Sequence, residues 1–146
     1  MEDIRTILLA EDSPKDVELT LEALSEQNLA NNVIVVKDGV EAMDYLRCEG
    51  NYKQRKPGNP AVMLLDIKMP RKDGIEVLRE IRNDELLKTI PVVILTSSRE
   101  QQDLINSYEL GVNAYVVKPV NFKKFTDTVK QIGLFWAVVN ELPGRI

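Results

Sequence analysis

Residues 62–70, Val-Met-Leu-Leu-Asp-Ile-Lys-Met-Pro, limit the possible folds more than any other stretch of the chain. Their apolar residues follow one another with no polar alternation. Such a segment reads as a strand covered on both faces, the habit of parallel sheets. Pro70 ends the ladder, because proline has no N–H to donate. Asp66 therefore stands at the carboxyl end of a central strand, where open α/β sheets gather their ligands. Nothing around it is polar until Lys68. A carboxylate held in such a place is more often a site than a solvated side chain.

The rest of the chain alternates strand and helix. Residues 6–10 form a first strand that ends in Glu11-Asp12-Ser13-Pro14: two acids, a capping residue and a proline suited to the first helical position. The helix that follows puts Val17, Leu21 and Leu24 on one face. Asn31-Asn32 turns into a β-branched second strand at residues 33–36, and Asp38-Gly39 opens a helix with Ala42, Met43 and Leu46 inward. Residues 50–60 repeat glycine and proline and read as a solvated basic loop, with a docking patch of Lys53, Arg55 and Lys56 as the alternative. Arg71-Lys72-Asp73-Gly74 leads to a third helix lined by Ile75, Leu78 and Ile81. Pro91 starts a fourth apolar strand at residues 92–95, ending in Thr96-Ser97-Ser98. The fourth helix places Leu104, Ile105 and Tyr108 inward and stops at Gly111 in a left-handed turn. A fifth strand at residues 114–117 ends at Lys118-Pro119, and the last helix begins near Asn121 with Phe122, Phe125, Val129 and Ile132 on one stripe. Five such repeats predict an α/β, flavodoxin-like doubly wound architecture: a five-stranded parallel sheet in order 2-1-3-4-5 with five helices and a C-terminal extension.

Several functions are excluded by what the chain lacks. It has no histidine, which removes Ser-His-Asp and Cys-His catalysis, His-ligated zinc and a phosphohistidine of its own. A net charge of −4 gives no support for binding nucleic acid or anionic membrane through phosphates. The acidic start and the short first apolar run predict neither a secretory signal nor a membrane span, and a single cysteine, Cys48, points to a reducing, cytoplasmic compartment. At 146 residues, 1–146 is expected to be one domain.

The polar residues at the strand ends then converge. Glu11 and Asp12 follow the first strand, Asp66 ends the third, Thr96 the fourth and Lys118 the fifth, so all five lie along one edge of a parallel sheet. Each alone has a bland reading: helix cap, β-former or surface amine. All five at the right strand ends do not. Two carboxylates about 4 Å apart repel by about 4 kcal/mol at an effective dielectric near 20, so one takes a proton or a cation is bound. Oxygen-only ligands suit Mg²⁺ or Mn²⁺. With a metal held by Glu11 and Asp12, Asp66 can act as a carboxylate nucleophile, and phosphoryl transfer to it would draw on the metal, the Lys118 ammonium and the Thr96 hydroxyl.

At these residues the chain resembles the receiver domains of two-component response regulators. The likeness lies in Glu11-Asp12, in Leu-Leu-Asp66-Ile-Lys-Met-Pro70 with Asp73-Gly74 after it, in Thr96-Ser97 and in Lys118-Pro119, and it covers roughly residues 5–132. The resemblance implies that Asp66 is the phosphoacceptor, fed by a phosphohistidine on a partner sensor histidine kinase. It implies Mg²⁺ bound by Glu11, Asp12, Asp66 and the backbone carbonyl of Lys68. It also implies Thr96 and Tyr115 as paired switch residues and a cis peptide at Lys118-Pro119. The long basic loop, Ser97-Ser98 and Phe135-Trp136 are similar to phytochrome-associated single-domain response regulators of cyanobacteria, which makes a phytochrome the candidate kinase.

Other classes remain. A phosphatase working through an aspartyl phosphate would resemble a pattern with a second aspartate two positions after the nucleophile, where Lys68 stands here. A nucleotide or flavin binder would want a glycine-rich loop after the first strand, where this chain has acids. A phosphorylation-independent scaffold would not need the acidic set. Only a short tail follows the fifth helix, so no output domain is expected and the signal passes to a partner, a dimer or onward phosphotransfer. In that tail Phe135 and Trp136 are adjacent and cannot both face one core. They are read as part of a homodimer interface with helices four and five and strand five; a cap on their own domain is the alternative.

Overall fold

Uninterrupted apolar runs become buried strands. The computed structural model describes residues 6–24, 33–106, 108–131 and 133. Within them β1 (Ile7–Ala10), β2 (Val33–Val36), β3 (Val62–Asp66), β4 (Val92–Thr96) and β5 (Ala114–Val117) pair in parallel in the order β2-β1-β3-β4-β5. The crossovers contain α1 (Pro14–Leu24), α2 (Gly39–Arg47), α3 (Gly74–Arg82) and α4 (Arg99–Asn106), and α5 (Phe122–Gln131) follows the last strand. The expected flavodoxin-like architecture is the observed one.

Side chains alternate between the faces of the sheet. Leu8, Ala10, Met63, Leu65, Val92 and Ile94 enter one core with Met43, Leu78 and Ile105 of α2, α3 and α4. Ile7, Leu9, Val62, Leu64, Val93 and Leu95 enter the other with Leu24 of α1 and Phe125 of α5. Both faces of β1, β3 and β4 are therefore consumed, which is why those strands tolerate no polar residue before their last position.

Register then decides which polar residues meet. Ala10 lies opposite Leu65, so Glu11 comes level with Asp66. Thr96 pairs with Val117, and the Lys118 amide bonds the Thr96 carbonyl at 2.8 Å. Local chemistry starts the helices at the same edge. Asp38 caps α2 through the Glu41 amide at 2.8 Å, and Asp73 and Glu76 form a reciprocal capping box on α3. The Asn121 side chain accepts from the Lys124 amide at 2.8 Å, one residue before α5 begins.

The chain is also stapled at the opposite edge. Arg82, at the end of α3, donates to the carbonyls of Lys88, Ile90, Leu110 and Gly111 and to Asn113 Oδ1, at 2.8–3.2 Å. One guanidinium thus satisfies orphan carbonyls in the connections before β4 and before β5. Burial holds its pKa below the usual guanidinium range.

Two expectations need correction and a third needs refinement. Helix α4 buries Ile105, but Leu104 is 52% exposed and Tyr108, 43% exposed, lies beyond the helix. An i, i+4 apolar pair defines a face without saying what covers it. Gly111 is left-handed (φ 68°), yet α4 has already ended at Asn106. Residues 50–60 are largely exposed, as expected of a surface loop, but they are also tied back to the domain. A 3-10 turn at Gly50–Tyr52 folds them back, Arg55 stacks 4.0 Å over the Tyr45 ring while its Nε donates to the Tyr45 carbonyl, and Tyr52 bonds Glu41 at 2.7 Å. Arg55 is thus used in packing rather than as part of a basic patch. The expected inward position Ile132 and the expected interface pair Phe135 and Trp136 lie outside the described residues, as does the side chain of Val129.

Candidate functional site

The acids at the sheet edge meet as their spacing predicts. Glu11 and Asp66 are buried and Asp12 is exposed, and each can offer one oxygen within 4.8 Å of the others. The Ser13 amide donates to Glu11 Oε2 at 3.2 Å, which fixes that carboxylate against the start of α1. Burial, and after it the Asp66 charge, pushes the Glu11 pKa up to about 6. Burial also raises Asp66, with Lys118 acting against it. Three hard oxygen donors, two of them withdrawn from water, form a set that suits a divalent cation of the Mg²⁺ or Mn²⁺ kind.

Lys118 is the counter-charge. Its Nζ lies 3.0 Å from Asp66 Oδ1, 3.3 Å from Glu11 Oε1 and 3.2 Å from Asp16 Oδ2. Burial works to lower its pKa, but the carboxylates of Asp66, Glu11 and Asp16 outweigh it and hold the ammonium above its ordinary value. The peptide bond from Lys118 to Pro119 is cis, as the resemblance implied.

Thr96 is fully buried, and its Oγ1 accepts a long 3.5 Å contact from Gln102 of α4. Tyr115 on β5 is half-buried, and its hydroxyl donates to Asn106 Oδ1, also of α4. Burial, then the Asp103 charge, raises the Tyr115 pKa. Lys68 is exposed two residues past Asp66. It lines a cleft of about 420 Å³ with Ile67, Ser97, Ser98, Gln101 and Leu104. The cleft lies between the β3–α3 loop and the start of α4.

That loop is held rigidly. The Gly74 amide bonds the Ile67 carbonyl at 2.7 Å, and a Cβ on Gly74 would lie 2.4 Å from the Asp66 carbonyl oxygen. A Cβ on Gly39 would lie 2.0 Å from the Lys72 carbonyl. Arg71, itself left-handed at φ 66°, grips the Asp38 carboxylate with bonds of 2.9–3.0 Å. Sequence reasoning brought together Glu11, Asp12, Asp66, Thr96 and Lys118. It missed Asp16, Gln102 and Asn106, for which no spacing rule exists: the first reads as an ordinary acid in a first helical turn, the others as polar surface of α4.

Comparison with known proteins agrees with this geometry. Residues 7–130 match the response regulator receiver domain. Response regulator Rcp1 of Synechocystis sp. is 42% identical over 139 residues, 95% of this chain and 93% of Rcp1. The Mn²⁺-bound form of Rcp1 superposes with a TM-score of 0.73 at 41% identity, covering 96% of this chain and 99% of that one. The bacteriophytochrome response regulator AtBRR is 56% identical with a TM-score of 0.88, covering 96% of this chain and 100% of that one. The phosphorylated cyanobacterial phytochrome response regulator RcpA is 43% identical with a TM-score of 0.74, covering 96% and 99%. Among the described residues no helix is long and apolar enough to cross a membrane. With a match running from the first strand to the last helix, and relatives aligned over nearly their whole lengths, the chain belongs to the response regulator receiver domain family.

Proposed function

We propose that this response regulator accepts a phosphoryl group from a sensor histidine kinase onto Asp66 and signals through the conformational change that follows. The observation that carries the reading is Asp66 itself: a buried carboxylate at a strand end, 3.0 Å from an ammonium and grouped with two further acids. An Asp66 oxygen forms the new P–O bond as the P–N bond of the partner's phosphohistidine breaks, and the imidazole leaves with the electron pair. The chain has no histidine, so the donor belongs to another protein. Lys118 favours the ionised form of Asp66 against the burial that raises its pKa, and faces the charge that builds on the phosphoryl oxygens. The Thr96 hydroxyl supplies a second donor. A divalent cation, Mg²⁺ in this reading, would be held by Glu11, Asp12, Asp66 and the Lys68 carbonyl, and supplies neutralising charge when bound. Nothing is turned over besides the protein's own phosphoryl group.

The donor kinase is of the phytochrome type, a reading supported by the likeness to AtBRR and RcpA. Thr96 and Tyr115 carry the switch: Thr96 turns toward the phosphoryl group and Tyr115 moves inward. The product is a homodimer through α4, β5, α5 and the segment holding Phe135 and Trp136. Leu104, Tyr108 and Val117 support this, since each leaves more than two fifths of its surface exposed near α4 or on β5.

Intact mass after incubation with acetyl phosphate tests the chemistry. Wild-type protein should gain one phosphoryl group with Mg²⁺ and none with a chelator, and Asp66→Asn should gain none, because the amide is a poor nucleophile. Full labelling of Asp66→Asn would refute the assignment. Light scattering tests assembly, and a monomer at tens of micromolar in both phosphorylation states would refute the dimer.

A further inference from the structure

Asp16 stands three residues after the serine that precedes α1, the spacing of a capping box. In α3 the same spacing is used in that way, with Asp73 and Glu76 bonding each other's backbone reciprocally. In α1 it is not. Ser13 Oγ accepts from the Asp16 amide at 3.3 Å, but the Ser13 amide is taken by Glu11 Oε2 at 3.2 Å. The Asp16 carboxylate turns away from its own helix and accepts from Lys118 Nζ at 3.2 Å, bridging 102 residues of sequence.

An ammonium has three N–H donors. Here they face three carboxylates, Asp66, Glu11 and Asp16. Two of those partners have other work. Glu11 and Asp66 belong to the set whose oxygens can share a cation, and Asp16 is not in that set. Asp66 moreover gives up an oxygen when it becomes an acyl phosphate. A lysine held by those two alone would lose its hold just when its position matters.

Building on the phosphoacceptor reading above, we propose that Asp16 is the positioning residue of Lys118: it keeps the ammonium aimed at the phosphoryl site while Glu11 and Asp66 are engaged elsewhere. Asp16 is about one-third exposed and Lys118 one-fifth, so the pair lies at the rim of the site, where an anchored ammonium and a free one differ most in order. The carboxylate acts through the lysine and touches neither donor nor product.

The test compares wild type, Asp16→Asn, Asp16→Ala, Lys118→Ala and the double variant Asp16→Asn/Lys118→Ala in acetyl phosphate with Mg²⁺, following intact mass with time. Both Asp16 variants should phosphorylate about tenfold more slowly, the scale of one charge-assisted hydrogen bond. Their melting temperature and Mg²⁺ midpoint should match wild type, which a merely structural or metal-binding role would not allow. In the Lys118→Ala background the Asp16 substitution should have no further effect, since its route is gone. Wild-type protein that gains no phosphoryl mass overturns the phosphoacceptor reading and this role with it. Wild type that labels normally with Asp16→Asn equally fast, or an Asp16 effect undiminished without Lys118, overturns the role of Asp16 alone.

Discussion

Glu11 shows what a buried acid does to a protein before any ligand arrives. Its pKa rises from an ordinary 4.5 to about 6, first through burial and then through the Asp66 charge. Between those values the unfolded chain has released the proton and the folded chain still holds it. The native state then binds more protons, so stability falls as pH rises through that window. Asp66, also raised, acts with the same sign from a lower starting point, while Lys118, raised above its usual range, contributes no slope there. Chelated protein should therefore lose about 2 kcal/mol between pH 4.5 and 6.5 by urea unfolding. Glu11→Gln should flatten that curve, and an unchanged slope would assign it to Asp66. A divalent cation at neutral pH should restore the loss, visible as a melting temperature that climbs with its concentration. Arg82 makes the opposite case, a cation that serves only the fold. Arg82→Lys leaves a three-donor ammonium facing five acceptors. It should cost about 2–3 kcal/mol by chemical denaturation with phosphorylation of Asp66 intact.

Among the elements, α4 is the one the apolar pattern described least well. It buries Ile105 alone and spends its polar residues on the two proposed switch positions, Gln102 on Thr96 and Asn106 on Tyr115. These two are four apart and share one face, so a movement of α4 that releases one tyrosine latch also disturbs the threonine contact. Asn106→Ala should remove the outward hold on Tyr115 and speed labelling by acetyl phosphate about three- to tenfold, because the protein then starts nearer the switched state. An unchanged rate would move the latch elsewhere. Thr96→Ala should still accept the phosphoryl group yet lose the phosphorylation-dependent change in assembly. The contrast with β1, β3 and β4 explains what could be read beforehand. A strand covered on both faces leaves an unmistakable run, and its last residue must point to the sheet edge, so Asp66 and Thr96 were legible. Leu104 and Tyr108 were misjudged because a helical stripe looks the same whether it faces a core or a partner. Asp16, Gln102 and Arg55 were invisible because their partners, Lys118, Thr96 and Tyr45, are set by tertiary packing and not by spacing along the chain.

At the scale of the whole molecule, the site has unlike flanks. On one side the β3–α3 loop is fastened to α2 by Arg71 and Asp38, and at Gly39 and Gly74 there is no room for even one added carbon. Gly74→Ala should consequently destabilise the fold by about 1–3 kcal/mol through overpacking and blunt labelling of Asp66, and a fully stable, fully active variant would show that the loop can yield. On the other side α4 meets the site through a long contact from Gln102, a tyrosine latch and the bonds between Gln101 and Ser97-Ser98, with a cleft beside it. If Asp66 takes the phosphoryl group as proposed, that group would press against an anvil and a spring. In the proposed reading the displacement should run toward α4 and β5, where Leu104 and Val117 are exposed. Hydrogen exchange should register this as altered protection in α4 and β5 with α2 unchanged; equal change on both flanks would argue against it. In the proposed reading the pinned loop would make the molecule a mechanical rectifier, turning the push of the chemistry toward one surface.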